Sequence, residues 1–205
     1  MTDETPHSKT ERHNDKMKKV KVARDRMMET KTVEKGLIII HTGKGKGKTT
    51  AAMGMVCRAI GHGQRVAIVQ FIKGALFTGE KIVFDAFPDQ VVMRSMGEGF
   101  TWETQDRDRD IAVAKLAWDT AKAYIADPDY KMVLLDELNI ALRYDYVSLA
   151  DVIATLKNKP ADKHVILTGR NAKDELIEIA DLVTDMVQVK HPFRAGVKAQ
   201  EGIEF

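Results

Sequence analysis

The run Gly43-Lys44-Gly45-Lys46-Gly47-Lys48-Thr49-Thr50 gathers residue types that handle phosphate. Glycines at alternate positions let the backbone wrap closely around an anion, with successive N–H groups pointing inward. Lys48 supplies a point charge for phosphate oxygens, and the Thr49 hydroxyl is a hard oxygen ligand of the kind Mg²⁺ prefers. The run follows the apolar, β-branched stretch Leu37-Ile38-Ile39-Ile40 and opens a helical pattern from Thr49 to Ile60. Strand, turn and helix in that order are the setting a phosphate loop requires, because the helix adds its positive end. Outside that setting the same residues would read as a glycine-rich turn with solvated lysines. The match to the common pattern is offset: counted back from Gly47-Lys48-Thr49, the place of the first glycine is held by Thr42, and the glycine arrives one residue late at Gly43. A nucleotide or polyphosphate ligand follows; the reaction does not.

A second strand-like run, Val133-Leu134-Leu135, ends in Asp136-Glu137. In phosphate-loop proteins such a strand end faces the Mg²⁺ site, and one carboxylate holds the metal directly or through water. Two acids ahead of a helix also serve as its cap. With the loop upstream the metal reading is preferred, with Glu137 ahead of Asp136 as the residue nearer the metal.

Gly97-Glu98-Gly99-Phe100-Thr101-Trp102-Glu103-Thr104 sets two large aromatics in a polar, glycine-flanked stretch. Exposed aromatics in a loop suit a flat ligand, a base or a partner surface; the alternative is that both fold back onto the core. His41, His62, His164 and His191 are scattered without metal-ligand spacing and are read as structural or surface residues. Cys57, the single cysteine, is expected in the core, as is Trp118. No serine–histidine–acid arrangement suggests a protein nucleophile.

These groups must be positioned by the elements around them. After the loop helix, Val66–Phe71 reads as a strand and Val91–Arg94 as a short one. Asp106–Ala126 has helical periodicity. Met132–Leu135 is a strand, Leu149–Leu156 a helix capped by Ser148, Val165–Thr168 a strand, Asp174–Ala180 a helix and Met186–Val189 a last strand. Alternating strands and helices argue for one α/β domain, residues 36–205, with a mainly parallel sheet. Residues 1–35 differ. They are polar, with a basic cluster at Lys16, Lys18, Lys19, Lys21, Arg24 and Arg26, and read as a mobile arm with a short helix around 14–30 or as an arm that orders over a ligand or neighbouring subunit.

Composition excludes little else. The 205 residues suffice for one well-buried core. A net charge of +2 gives no argument for nucleic acid or membrane. One cysteine allows no intrachain disulfide. No apolar run approaches the roughly 18 residues a membrane span needs, and the charged N-terminus lacks a secretory h-region. A cytoplasmic protein is expected.

The combined segments HTGKGKGKTTAAMGMVCRAIGHG, VAIVQFIKG, GEGFTWETQD, VLLDELNIALRYDY, LTGRNA and VKHPFRAGVKAQEGIEF cover most of the chain from Gly36 to Phe205. They resemble the corrinoid adenosyltransferases of bacterial cobalamin synthesis and salvage, in which the offset first glycine is typical. Lys44 departs from the Asn or Asp common there. The resemblance implies a phosphate-loop NTPase-like, six-stranded α/β fold and a homodimer that binds ATP with Mg²⁺ (or Mn²⁺) and a reduced corrinoid, with a flavoprotein-type reductant as electron source. It implies that Co(I) attacks the ribose 5′ carbon, that triphosphate leaves, and that ATP lies reversed in the loop. By match of position Gly43 to Thr50 would cradle ATP. Lys48 and Thr49 would hold the triphosphate and metal, Glu137 would complete the metal site, and Phe100 and Trp102 would lie against the corrinoid. A Co(I) nucleophile needs no protein base, which fits the lack of one here. Two other classes remain in view: a γ-phosphoryl kinase or ATPase, which leaves GEGFTWETQD unexplained, and an ATP-regulated nucleic-acid-binding protein using the basic arm, against which the near-neutral charge counts.

Overall fold

The computed structural model describes residues 6–71, 78–96 and 106–203. The chain divides into two compact units, residues 1–34 and 35–205.

In the first unit, α1 (Pro6–Glu29) runs for 24 residues, longer than the short helix expected. Its few large apolar side chains, Met17, Val20, Val22, Met27 and Met28, are all exposed. No helix among the described residues is long and apolar enough to cross a membrane.

The second unit is a six-stranded parallel sheet with helices on both faces. Its elements are β1 (Ile38–Thr42), α2 (Lys48–Gly61), β2 (Val66–Gln70), α3 (Gly79–Asp85), β3 (Val91–Ser95), α4 (Arg107–Ala126), β4 (Met132–Asp136), α5 (Leu138–Arg143), α6 (Leu149–Lys157), β5 (His164–Thr168), α7 (Asp174–Ile179) and β6 (Leu182–Asp185), followed by a 3₁₀ turn at Pro192–Ala195. Strand order is β3-β2-β4-β5-β1-β6, and every pairing is parallel. This is the phosphate-loop NTPase-like α/β fold expected from the sequence.

The β-branched runs read as strands are buried on both faces, as parallel strands are. Alternation along β1 divides them: Ile38 and Ile40 join the core beneath α4 to α7, and Ile39 joins the core beneath α2 and α3. Ile40 is fully buried, so Ile40→Ala costs about 2–5 kcal/mol. Trp118 of α4 is core as expected, with its indole N–H donating to Asp151 at 2.7 Å. Asp106 caps α4, accepting from the Arg109 amide at 3.1 Å, and Ser148 caps α6. Lys163 is buried, and its ammonium donates to the Asp127 and Tyr130 carbonyls just beyond α4. A cation there meets the negative end of the helix.

Two sequence expectations move. The last strand is Leu182–Asp185, not Met186–Val189. It pairs only with β1, at the sheet edge, so Leu182 and Val183 stay partly exposed and its apolar pattern is short. The helices α3 and α5, of seven and six residues, are additions.

Candidate functional site

The parallel sheet brings the carboxyl ends of its strands to one edge, where open α/β sheets bind ligands. The loop after β1 is shaped for an anion. Gly43 and Gly47 have φ of +100° and +97°, in the region that favours glycine. Gly45 donates its N–H to the Met186 carbonyl at 2.6 Å, and a Cβ there would stand 2.6 Å from that same oxygen. The backbone after β6 thus braces the loop from below. Helix α2 starts at Lys48, so its first amides point to the loop mouth.

Lys48 is buried and its ammonium donates to the Gly45 carbonyl at 2.5 Å. Burial pulls its pKa below the ordinary lysine value; Glu137 and Asp185 oppose that, and Arg170 and Lys46 add to it. The Thr49 hydroxyl donates to Asp136 Oδ1 at 2.8 Å. Asp136 is fully buried and accepts also from Thr168 at 2.7 Å and Gln70 at 2.9 Å. Thr168 Oγ1 in turn accepts from the Glu137 amide at 2.9 Å. This fixes Glu137 in a left-handed conformation, φ 62°, at the start of α5.

A cavity of about 680 Å³ opens over the loop. Its polar end is lined by Gly45 to Thr50, Glu137 and Arg170. Its apolar side is lined by Met53, Gly54, Cys57, Val83 and Phe84, with Ile203 from the C-terminal segment. A second space of about 430 Å³ lies behind the loop, lined by Thr42, Gly43, Lys44, Asn171 and Asp185 among others. Of the residues singled out in the sequence, the structure brings Gly45, Lys46, Gly47, Lys48, Thr49, Thr50 and Glu137 around one cavity, and sets Gly43 and Lys44 on its far side. Phe100 and Trp102 lie outside the described residues.

Residues 34–205 match the family model for ATP:corrinoid adenosyltransferase BtuR/CobO/CobP. A corrinoid adenosyltransferase of Sinorhizobium sp is 58% identical, over 98% of this chain and 96% of its own. One from Pseudomonas aeruginosa is 52% identical, over 96% and 97%. The corrinoid adenosyltransferase CobA of Salmonella typhimurium is 45% identical, over 95% and 98%. The chain belongs to the ATP:corrinoid adenosyltransferase family. It is a transferase, and a corrinoid adenosyltransferase by family.

The adenosyltransferase site also holds residues the sequence reading passed over. Cys57 is exposed and lines the cavity, contrary to its expected place in the core. The buried stripe of α2 is Ala52, Met53, Val56 and Ala59; Cys57 sits one position beyond it and one turn after Met53, the residue at its cavity edge. His191, read as structural or surface, lines the cavity while accepting from the Phe193 amide at 3.2 Å. Arg170 was not singled out at all. The one available signal was position: it stands two residues past the end of an apolar strand, as Glu137 stands one residue past the end of another.

Proposed function

We propose that this adenosyltransferase moves the 5′-deoxyadenosyl group of ATP to Co(I) of a reduced corrinoid: cob(I)alamin, cobinamide or cobyrinic acid a,c-diamide. The cobalt electron pair forms the Co–C bond, the C5′–O bond breaks, and its electron pair leaves on inorganic triphosphate. The observation that carries this reading is the built phosphate cradle at one end of a cavity whose other wall is apolar. It offers separate surfaces to the triphosphate and the nucleoside of one ATP molecule.

The work left to the protein is to orient two large substrates and to stabilise a highly charged leaving group. The Lys46–Thr50 stretch of the loop and the α2 N-terminus border the cavity where the phosphates would lie. Lys48, buried and held inward on Gly45, supplies positive charge at the polar end of the cavity. Its depressed pKa is opposed by Glu137 and Asp185, which help to keep it charged. No side chain need remove a proton, because the nucleophile is a metal electron pair.

Mg²⁺ (or Mn²⁺) fits the donor set. The Thr49 hydroxyl, Asp136 and Glu137 offer only hard oxygens beside the loop. Mg²⁺ keeps several waters and takes further ligands from phosphate, so it needs few protein donors. Bound there, it would neutralise charge on the leaving triphosphate. Thr49 and Glu137 would hold it, with Asp136 orienting Thr49.

The finer features follow the family resemblance: a cytoplasmic homodimer, a flavoprotein-type reductant, Phe100 and Trp102 against the corrinoid, and residues 1–35 as an arm distinct from the catalytic domain 36–205. Anaerobic incubation with ATP and chemically reduced cobalamin tests the reaction. It should give the light-sensitive cobalt–carbon spectrum and one triphosphate per adenosyl group. ADP instead of triphosphate would point to a kinase or ATPase.

A further inference from the structure

Arg170 stands at the carboxyl end of β5, and β5 lies between β4 and β1 in the sheet. Its two neighbours carry the acidic pair and the phosphate loop. The turn that presents Arg170 is held tightly. Gly169 has φ +127°, and a Cβ there would stand 2.9 Å from Asn139 Cβ and 3.1 Å from Glu137 Oε2. Only glycine lets the β5 turn approach α5 this closely. Asn139 is 1% exposed, and its Nδ2 donates to the Gly169 carbonyl at 2.9 Å. From the other side the Gly169 amide donates to the His41 carbonyl at 3.2 Å. Gly169 is therefore clasped to both α5 and β1, and the next residue is directed over the loop.

Arg170 itself is exposed and lines the polar end of the 680 Å³ cavity together with Lys46, Lys48 and Glu137. A planar guanidinium with five donors matches two phosphate oxygens at once, which a lysine does not. A residue serving only the fold would not need a buried amide and a glycine-only turn to hold it at the mouth of an anion cradle.

We propose that Arg170 is a direct ligand of the triphosphate chain, contacting it in bound ATP and in the inorganic triphosphate that leaves. The assignment deepens the adenosyl-transfer reading and rests on it for the identity of the leaving group. Arg170 reaches the phosphates from the β5 side, opposite the α2 amides, so the chain is gripped between two strand ends. Because triphosphate carries more charge after the C5′–O bond breaks than before, a cation at this place favours the broken state.

The test is calorimetric titration of inorganic triphosphate, and separately of MgATP, into the full-length protein, R170A and R170K, with thermal unfolding of each. R170A should lose about tenfold to a hundredfold in triphosphate affinity, as expected for charged hydrogen bonds, with an unchanged unfolding midpoint. R170K should recover part of the loss, keeping the charge without the fork. Equal triphosphate affinity in R170A and the parent protein overturns the assignment. Should R170A unfold at lower temperature, R170Q is read in its place, and parental affinity there overturns it likewise. The underlying reading fails separately: a parent protein that binds triphosphate through Arg170 but gives no cobalt–carbon product with ATP and reduced cobalamin keeps this ligand and loses the reaction.

Discussion

Thr49 Oγ1 donates to Asp136 Oδ1 at 2.8 Å, across 87 residues of sequence. The contact joins the first turn of the loop helix to the end of β4, so the phosphate cradle and the acidic pair form one unit. Thr168 extends the unit to β5 by bonding both Asp136 and the Glu137 amide. Two strand ends and the start of the loop helix are thereby tied together at the place where charge must be handled.

K48A and T49A should each lose about a hundredfold or more in adenosyl transfer, the scale for removing a preorganised charge-stabilising group. The fold should survive. Asp136 keeps its bonds from Thr168 and Gln70 when Thr49 is cut back, so T49A should cost only about 1 kcal/mol of stability. Rates at saturating MgATP together with denaturant unfolding check this. Normal turnover in either variant would remove the loop from the reaction.

The two acids should separate by readout. Asp136 is fully buried and accepts from three side chains. D136N turns an acceptor into a donor facing donors and should cost about 1–3 kcal/mol. Glu137 borders the cavity. E137Q should leave the unfolding midpoint near that of the parent and raise the Mg²⁺ concentration needed for half-maximal rate. An unchanged Mg²⁺ requirement in E137Q would shift the metal role to Asp136.

The loop glycines are not alike. A methyl at Gly45 meets the backbone of Met186 and Val187 at 2.6 to 2.9 Å. Backbone cannot swing aside as a side-chain tip can, so G45A should cost about 1–3 kcal/mol and weaken ATP binding. Gly54 lies within α2, and a methyl there has nothing within 4 Å. G54A should gain about 0.5–1 kcal/mol from the helix interior. Chemical unfolding of the pair is the measurement, and equal effects would contradict the bracing of the loop by the segment after β6.

The contrast shows what sequence can and cannot reveal. Gly45 was legible because phosphate handling fixes residue types at fixed spacing within one segment. The place of Lys48 and Thr49 at the cavity was legible for the same reason, that of Glu137 because an acidic pair closes an apolar strand run, and the strands because parallel burial writes such a run. Arg170, His191 and Ile203 were not. Each is a single residue outside the helices and strands that reaches the cavity only through the folding of distant segments, and no local period marks it. Cys57 was misplaced because one position of helical phase, about 100°, separates a core residue from a cavity wall. The edge strand β6 was displaced because a half-exposed strand carries too few apolar residues to outweigh the Met186–Val189 run beside it.

Stability should fall in acid through two histidines. Burial holds His41 below the ordinary value of 6.5, and burial with the nearby Lys131 and Lys159 charges does the same for His164. The unfolded chain then binds the proton more readily than the folded one. The stability each contributes is complete above about 6.5 and is lost progressively as pH falls from there through the depressed folded value. His164 Nδ1 accepts from the Leu37 amide at 3.1 Å, a bond that its protonation removes. H164N keeps an acceptor there without titrating, so its unfolding free energy should vary less between pH 7 and pH 5. An unaltered slope would show that His164 does not carry the effect.

Cys57 offers a direct probe of where the nucleoside lies. It is the single cysteine of the chain, so a thiol reagent labels one site. It is exposed, on the face of α2 that carries Met53 and Gly54 into the cavity. If ATP places its triphosphate in the loop and its nucleoside along this wall, a bound nucleotide must cover the sulfur. MgATP should therefore slow labelling by a bulky maleimide, by a factor that follows the occupancy of the site. Inorganic triphosphate, which fills only the polar end, should protect much less. Labelled protein should lose adenosyl transfer because the adduct occupies the nucleoside's space. C57S, treated in the same way, should keep whatever activity it had before the reagent. Mass spectrometry of the labelling time course, with activity measured on the same samples, reads all of these. Equal protection by MgATP and triphosphate would place the nucleoside away from α2. The apolar wall of Met53, Val83 and Ile203 would then face the second substrate instead.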